Sequence, residues 1–167
     1  MRALGIVGWS GSGKTTLLTS LVPALRQRAL AVSAVKHAHD GFDMDRPGKD
    51  SYRYREAGAG QVLISTTERW ALLTETPTRH ATLDELLAQL APCDLVIVEG
   101  FKSEGRIPRI EVRRSTVGDP PIYPQDPNVI AVAADFAVDC PLPVLDLNDA
   151  DRIVAFIMQR LALAAPR

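Results

Sequence analysis

The 167 residues are enough for one domain with a sizeable core and too few for two ordinary ones. Hydrophobic residues make up 46% of the chain and charged residues 23%, as is usual in globular proteins. The formal net charge is −1, from 19 basic and 20 acidic side chains. Because proteins that hold nucleic acid by its phosphates usually carry a basic excess, this balance argues against a nucleic-acid partner.

Cysteine usage and hydropathy argue against a cysteine-rich, a membrane-spanning or a secreted protein. The only cysteines, Cys93 and Cys140, do not form a Cys-x-x-Cys pair, which disfavours a disulfide framework or a cysteine-rich zinc site. No segment approaches the roughly 18 apolar residues of a membrane span. The first apolar segment leads directly into a glycine loop, without the cleavage region of a signal peptide. We therefore expect a cytoplasmic protein without a membrane partner.

Short apolar runs bounded by turn residues predict the strands. In chain order these runs cover residues 3–7, 31–35, 62–65, 70–73, 95–98, 110–112, 129–133 and 144–145. The third and fourth are close enough in the chain to form a hairpin, and the proline-rich segment after Gly118 is expected to be a loop.

Amphipathic segments between these runs predict four helices. They are expected to begin at Lys14, at Asp50 as an N-cap, at the capping box that starts with Thr82, and after Asn148 or Asp149 as the last N-cap. The second helix is expected to extend to residue 57 and the third to residue 90. Pro23 lies inside the first helix and predicts a distortion one turn earlier, near residues 18–19. Alternating strands and helices indicate an α/β fold with a mostly parallel sheet flanked by helices.

The segment from Gly8 to Thr15 has the Gly-x4-Gly-Lys-Thr spacing of a phosphate-binding loop and lies between a predicted strand and helix, the context this motif requires. Its glycines allow backbone N–H groups to surround a phosphate, and the helix N-terminus favours the same anion. Lys14 is expected to reach the β- and γ-phosphates and Thr15 to place its hydroxyl on Mg²⁺. The residues predicted to hold the nucleotide are Gly8, Ser10, Gly11, Ser12, Gly13, Lys14, Thr15 and Thr16. We predict a single P-loop nucleotide-binding domain over residues 1–167, with a three-layer fold.

A Mg²⁺ ion requires carboxylates as well as phosphate oxygens. Glu99 ends the apolar run Leu-Val-Ile-Val, so in a parallel sheet it is expected beside the P-loop, at the ligand-binding edge. The alternative is a solvated glutamate at a strand end. Asp94 begins the same strand at the opposite edge, and we do not assign it to the metal.

The loop after the second strand supplies further acids. Asp43 and Asp45 alternate, so in an extended chain both face the same side and could bind Mg²⁺ or orient an attacking water. His37 and His39 could bind a transition metal, but no third histidine or cysteine lies nearby, which favours hydrogen-bonding or phosphate contacts instead.

Recognition of the base has no strong motif. The chain lacks the Asn-Lys-x-Asp sequence that reads guanine in many GTPases. Asp135 follows a predicted strand and could accept hydrogen bonds from a guanine edge, although an exposed loop aspartate accounts for it equally well.

Taken together, these segments resemble the MobB family of molybdopterin-guanine dinucleotide biosynthesis adaptor proteins over nearly the whole chain. The Asp-x-Asp-x-Pro-Gly-Lys-Asp-Ser block and Glu-Gly-Phe-Lys are far more specific to this family than the P-loop. The resemblance rests on Gly-Trp-Ser-Gly-Ser-Gly-Lys-Thr-Thr-Leu at 8–17, Lys-His-Ala-His at 36–39, Asp-x-Asp-x-Pro-Gly-Lys-Asp-Ser at 43–51, Arg-x-Ala-Leu-Leu-Thr-Glu at 69–75, Val-Glu-Gly-Phe-Lys at 98–102, Ile-Ala-Val-Ala-Ala-Asp at 130–135 and Leu-Asp-Leu-Asn-Asp at 145–149.

The resemblance implies a GTP-binding protein with at most weak, Mg²⁺-dependent GTPase activity. It also implies a homodimer with strands contributed across the interface, and an adaptor role toward the guanylyltransferase that joins GMP to molybdopterin. By position, Asp45 and Glu99 are the implied Mg²⁺-side acids, with Asp43 next. A polar surface for the pterin phosphate or the partner is implied for Lys36, His37, Arg46, Lys49 and Arg53.

Two departures from the family pattern matter. Asp40 replaces a frequent histidine, which weakens a metal role for His37 and His39, and Ala134 replaces a common serine before Asp135. Two other functions stay open at this point: a P-loop small-molecule kinase or ATP-dependent synthetase, and a nickel or zinc metallochaperone GTPase.

Overall fold

The computed structural model describes residues 1–38, 45–102 and 104–164. The chain forms two compact units, of which the first comprises Met1–His37 with Leu83–Arg167 and the second Ala38–Thr82. The elements in chain order are β1 (Arg2–Val7), α1 (Lys14–Gln27), β2 (Val32–Lys36), α2 (Asp50–Glu56), β3 (Gln61–Ser65), β4 (Trp70–Thr74), α3 (Leu83–Ala88), β5 (Leu95–Glu99), β6 (Arg109–Arg113), β7 (Val129–Ala134), β8 (Val144–Asp146) and α4 (Ala150–Arg160).

The first unit is built on a six-stranded sheet in the order β2-β5-β1-β6-β7-β8, with every neighbouring pair parallel. Strand β5 is continuously apolar because it is buried on both faces of the sheet. Leu95 to Val98 are fully buried, and alternate residues face opposite sides. Leu95 and Ile97 pack in the core cluster that includes residues of α1 and α4, whereas Val96 and Val98 pack with Leu83 of α3. Helices therefore cover both faces, which confirms the predicted α/β fold.

The predicted strands are all present, and each strand end differs from its prediction by one residue at most. Helix α1 continues through Pro23, whose ring lies on the exposed side, where the lost backbone hydrogen bond can be replaced by water. The expected cap of α4 is confirmed, since the Asp149 side chain accepts a hydrogen bond from the Arg152 N–H at 2.9 Å.

Two predicted helix boundaries are wrong. Asp50 is the first residue of α2, and the N-cap position belongs to Lys49, whose backbone is extended and whose side chain makes no cap hydrogen bond. The Asp50 carboxylate therefore favours the helix N-terminus by charge in the first turn. Helix α3 ends at Ala88 instead of residue 90, because only single-turn backbone hydrogen bonds, such as Leu90 N–H to the Leu87 carbonyl, follow it.

The second unit contains α2 and the antiparallel hairpin of β3 and β4, which confirms the predicted hairpin. Its register pairs Ser65 with Trp70 and Leu63 with Leu72. The turn is held by Thr66, whose hydroxyl and N–H both donate to the Arg69 carbonyl, at 3.0 and 2.9 Å. None of the helices in the described ranges is long and apolar enough to cross a membrane.

Candidate nucleotide-binding site

The P-loop joins β1 to α1, and three of its glycines have positive φ angles: 153° at Gly8, 77° at Gly11 and 94° at Gly13. A Cβ added to Gly8 would lie 2.5 Å from the Val112 carbonyl oxygen, so a larger residue has no space there. The loop therefore needs glycine for both its conformation and its packing. Gly13 is the N-cap of α1 and has no side chain, so the first N–H groups of the helix stay available for an anion.

The Lys14 ammonium lies over the loop and donates to the carbonyls of Gly8 at 3.0 Å and Trp9 at 2.8 Å. Burial lowers the pKa of Lys14 below its ordinary value of 10.5, and the negative charge of Glu99 opposes that shift. Lysine at this position is thus partly desolvated and close to the backbone that would surround a phosphate.

Thr15 and Glu99 come together as the sequence predicted. The Thr15 Oγ1 donates to Glu99 Oε1 at 3.3 Å, and the Lys36 ammonium lies 3.8 Å from the same carboxylate oxygen. Glu99 pairs in register with Ile6 of β1 and Lys36 of β2, so three neighbouring strands end here. Its side chain is only 12% exposed. A hydroxyl and a carboxylate side by side are the oxygen ligands that Mg²⁺ prefers.

The remaining P-loop residues divide by exposure. Ser10, Gly11, Thr15 and Thr16 are exposed, whereas Ser12 is buried and its hydroxyl has no hydrogen-bond partner within the described residues. Gly13 and Thr16 border a pocket of about 150 Å³ that is also lined by Arg114 and Asn148.

Asp135 follows β7 at the same edge of the sheet and is exposed. Its Oδ1 accepts a hydrogen bond from the Ser115 N–H at 2.7 Å, which orients the carboxylate and leaves its second oxygen available for a further donor. Asp135 also lines an open pocket of about 400 Å³ together with Phe136, Asp146 and Asn148.

The acids of the loop after β2 were predicted as catalytic or Mg²⁺-binding residues. Asp43 and His39 lie outside the described residues. Asp45 is buried in the second unit, where its carboxylate accepts from Ser51 Oγ at 2.7 Å and Arg55 Nε at 3.4 Å. These contacts hold the start of α2, and a role of Asp45 toward Mg²⁺ or water stays a prediction.

His37 lies at the end of β2, where its N–H donates to the Glu99 carbonyl at 2.9 Å and its ring packs 4.7 Å from that of Phe101. Within residues 1–38, 45–102 and 104–164, no three His, Cys, Asp or Glu side chains are grouped so as to hold a metal ion. Because His39 lies outside these residues, a metal role for His37 and His39 stays a prediction.

The sequence did not predict the contacts that Trp9 of the P-loop and Arg114 make around this loop. Trp9 donates its indole N–H to the Pro120 carbonyl at 2.7 Å, and the Lys102 ammonium lies 4.2 Å from the centre of its ring. Arg114, the residue after β6, packs against Gly13. These contacts join parts of the chain that are distant in sequence, so no local motif predicts them.

Residues 3–135 match the family model described as molybdopterin guanine dinucleotide synthesis protein B. The chain belongs to the MobB family.

Two relatives are similar to it over most of their length. The molybdopterin-guanine dinucleotide biosynthesis adapter protein of Escherichia coli (strain K12) is 41% identical over 160 residues, which cover 93% of this chain and 91% of the relative. The MobB-family adapter protein of Haemophilus influenzae is 45% identical over 157 residues, covering 92% and 86%. A crystal structure of molybdopterin-guanine biosynthesis protein B superposes with a TM-score of 0.75 at 32% identity, covering 95% of this chain and 99% of that one.

Proposed function

We propose that this chain binds GTP with Mg²⁺ in its P-loop and serves as an adaptor in the biosynthesis of molybdopterin-guanine dinucleotide. The observation that carries the proposal is the contact of 3.3 Å between Thr15 and Glu99 at the mouth of the P-loop. Family membership supplies the adaptor role, since the relatives described above are adapter proteins of this pathway.

In the GTP complex, Lys14 would leave the carbonyls of Gly8 and Trp9 and bind the β- and γ-phosphates. The backbone N–H groups of residues 8–16 would surround the β-phosphate, at the N-terminus of α1. Thr15 and Glu99 fit Mg²⁺ because both present oxygen at the place where the phosphates would lie, Thr15 directly and Glu99 directly or through a water. Bound Mg²⁺ would neutralise the phosphate charge.

The guanine base is assigned to the open pocket at residues 134–148. Asp135 has one carboxylate oxygen held by the Ser115 N–H, and its other oxygen can accept from the N–H groups that distinguish guanine from adenine. Because a site built to accept from these donors loses its partners with adenine, we expect a preference for GTP over ATP.

Hydrolysis is proposed to be weak at most. The Asp45 carboxylate already accepts hydrogen bonds from Ser51 and Arg55, which leaves it poorly suited to activate a water. A kinase or synthetase would instead turn over at about 1 s⁻¹ or faster with its substrate. The chain would thus hold GTP for a reaction carried out by another protein.

The proposed partners are the guanylyltransferase, with its molybdopterin, and a second copy of this chain. The hairpin supports the second partner, because Leu63 and Trp70 are 60% and 67% exposed on the same face. In the second unit, the basic residues Arg46, Lys49 and Arg53 are all exposed and suit a phosphate-bearing ligand or an acidic partner surface. A reducing, cytoplasmic compartment suits the two free cysteines.

The test is isothermal titration calorimetry of the whole chain with GTP and with ATP, each with Mg²⁺, followed by titration of the GTP-loaded chain into molybdopterin-loaded guanylyltransferase. We expect saturable binding of GTP, weaker binding of ATP, and binding to the partner enzyme. Lys14→Ala is the matched control, since it removes the phosphate contact from a folded chain. Equal affinity for GTP in Lys14→Ala would refute the P-loop assignment, and absence of partner binding would refute the adaptor role.

A further inference from the structure

Arg114 occupies a position that neither the P-loop motif nor the family description assigns to a function. It is the first residue after β6, and its guanidinium lies against Gly13, the N-cap of α1. A Cβ placed on Gly13 would be 2.7 Å from Arg114 Nη2 and 3.2 Å from Nε, so glycine is needed for this approach. The arginine therefore reaches the first turn of the phosphate-binding helix.

The charge of Arg114 lacks an anion in the part of the chain that the structure describes. No carboxylate lies within ion-pair distance, and its buried Nε has no hydrogen-bond partner there. The preceding residue is different: Arg113 donates to the Asp119 carbonyl at 3.3 Å, and its Nε lies 3.9 Å from Glu111. Of these two neighbouring arginines, Arg114 is the one whose side chain lacks a hydrogen-bond or ion-pair partner among the described residues, and it lies beside the P-loop.

Placing this cation at the N-terminus of α1 is unfavourable in the absence of an anion. The helix N-terminus already carries a partial positive charge, and like charges at short distance repel. A bound phosphate would attract both the helix N-terminus and the guanidinium, which offsets their repulsion, and would provide an acceptor for Nε. The geometry thus points to an anion that contacts both the first turn of α1 and the Arg114 guanidinium beside it.

The sheet order indicates which part of a nucleotide lies there. Glu99 is on β5 and Arg114 follows β6, and these strands flank β1 on opposite sides. Arg114 lines the pocket of about 150 Å³ with Thr16 and Asn148, and Asn148 also lines the pocket assigned to the base. Arg114 therefore lies between the Mg²⁺ end of the site and the base end.

We propose that Arg114 binds the phosphate nearest the ribose, the α-phosphate of the bound guanine nucleotide. This proposal rests on the proposed GTP-binding function and adds to it a residue that lies outside the P-loop. The guanidinium fork can contact two phosphate oxygens at once, and the ammonium of a lysine cannot reproduce that geometry. Since GTP, GDP and GMP share the α-phosphate, Arg114 would contribute equally to the binding of all three.

The test measures dissociation constants of GTP, GDP and GMP by calorimetry, with and without Mg²⁺, for the wild-type chain, Arg114→Gln and Arg114→Lys. Arg26→Gln is the matched control because it removes the same charge from an exposed position in the last turn of α1. We expect Arg114→Gln to raise all three dissociation constants by the same factor, about tenfold to a hundredfold, with or without Mg²⁺. Arg114→Lys should lose affinity to a smaller extent, and Arg26→Gln should match wild type.

Several outcomes would overturn the proposal. Unchanged affinity in a folded Arg114→Gln shows that the guanidinium is only a packing group. A loss confined to GTP places it on the γ-phosphate, and a loss that spares GMP places it on the β-phosphate. Circular dichroism establishes that each variant is folded; if Arg114→Gln is not, the equal loss of GTP, GDP and GMP affinity in Arg114→Lys decides. A wild-type chain that binds none of these nucleotides refutes the proposed function itself, whereas wild-type binding with no Arg114 effect refutes this inference alone.

Discussion

The hydroxyl of Thr15 and the carboxylate of Glu99 are 3.3 Å apart, although 84 residues separate them in the chain. Strand β5 makes this possible because it lies beside β1 in register, with Ile6 opposite Glu99. Glu99 at the end of β5 and Thr15 in the first turn of α1 are thereby placed on one side of the P-loop, at the carboxyl edge of the sheet. A divalent ion is the ligand that such a pair suits, since both groups offer oxygen and one carries charge.

Glu99→Gln should weaken GTP binding in the presence of Mg²⁺ by about tenfold, which is about 1.4 kcal/mol, because the neutral amide is a poor ligand for the ion. Binding measured in EDTA should change little. Calorimetric titrations with and without Mg²⁺ give the comparison. Asp94→Asn is the control, because Asp94 precedes the other end of β5 and accepts the Ala31 N–H at 2.7 Å. Equal losses with and without Mg²⁺ would show that Glu99 does not act through the metal.

Raising the pH should weaken GTP binding at values below the ordinary lysine pKa. Burial lowers the pKa of Lys14, so its ammonium loses its proton earlier than an exposed lysine as the pH rises. The charged form binds phosphate, and affinity therefore falls as the pH increases through that lowered pKa. Calorimetry from about pH 7 to about pH 10 covers this range, in which exposed lysines remain largely charged.

Lys14→Arg is the control for this experiment, because arginine stays charged over the whole range. Titration of the nucleotide affects both proteins alike and cancels in the ratio of their dissociation constants. We expect that ratio to shift against the wild-type chain as the pH rises. A constant ratio would mean that the ammonium of Lys14 does not titrate in this range.

The site could be predicted from sequence only where local motifs and strand ends determine position. Gly13, Lys14 and Thr15 belong to one contiguous motif, and the apolar run before Glu99 predicts both a buried strand and the edge at which it ends. Arg114 could not be predicted in this way, because its contact with Gly13 depends on the neighbouring position of β1 and β6 in the sheet. No periodicity in the chain encodes that strand order.

Arg109→Ala should destabilise the chain by about 3–5 kcal/mol, because it leaves a buried acid without its cation. The Arg109 side chain is 1% exposed, lies 3.3 Å from Asp126, and also donates to the carbonyls of Phe101, Glu104 and Gly105. Urea unfolding followed by circular dichroism measures the loss. Arg106→Ala, at an exposed position in the loop that precedes β6, should change the free energy of unfolding by no more than about 0.5 kcal/mol. A loss below about 1 kcal/mol in Arg109→Ala would contradict a role for this pair in stability.

The fold was easier to predict than the ends of its helices. Apolar runs such as Leu95 to Val98 indicate a strand that is buried on both faces, so such strands can be predicted from the local sequence. A helix end depends instead on the backbone angles of one or two residues. Lys49 adopts an extended conformation before α2, and this places Asp50 inside the helix even though aspartate is the better N-cap residue.

A charge placed on the β3–β4 hairpin should dissociate the proposed dimer. Leu63, Trp70 and Leu72 lie on one face of this hairpin at exposures of 60%, 67% and 38%, a larger apolar surface than a two-stranded sheet usually leaves in water. Trp70→Glu should shift the mass measured by sedimentation equilibrium from that of two chains to that of one. The reason is that burying an unpaired carboxylate in an interface costs several kcal/mol.

Glu68→Lys provides the matched control, since it changes charge in the exposed turn of the same hairpin without touching that apolar face. It should sediment as the wild-type chain does. Circular dichroism of Trp70→Glu should show that the variant remains folded, because Trp70 is 67% exposed in the single chain and contributes little to its core. A wild-type chain that sediments as a monomer would contradict the dimer, and a Trp70→Glu dimer would place the interface elsewhere.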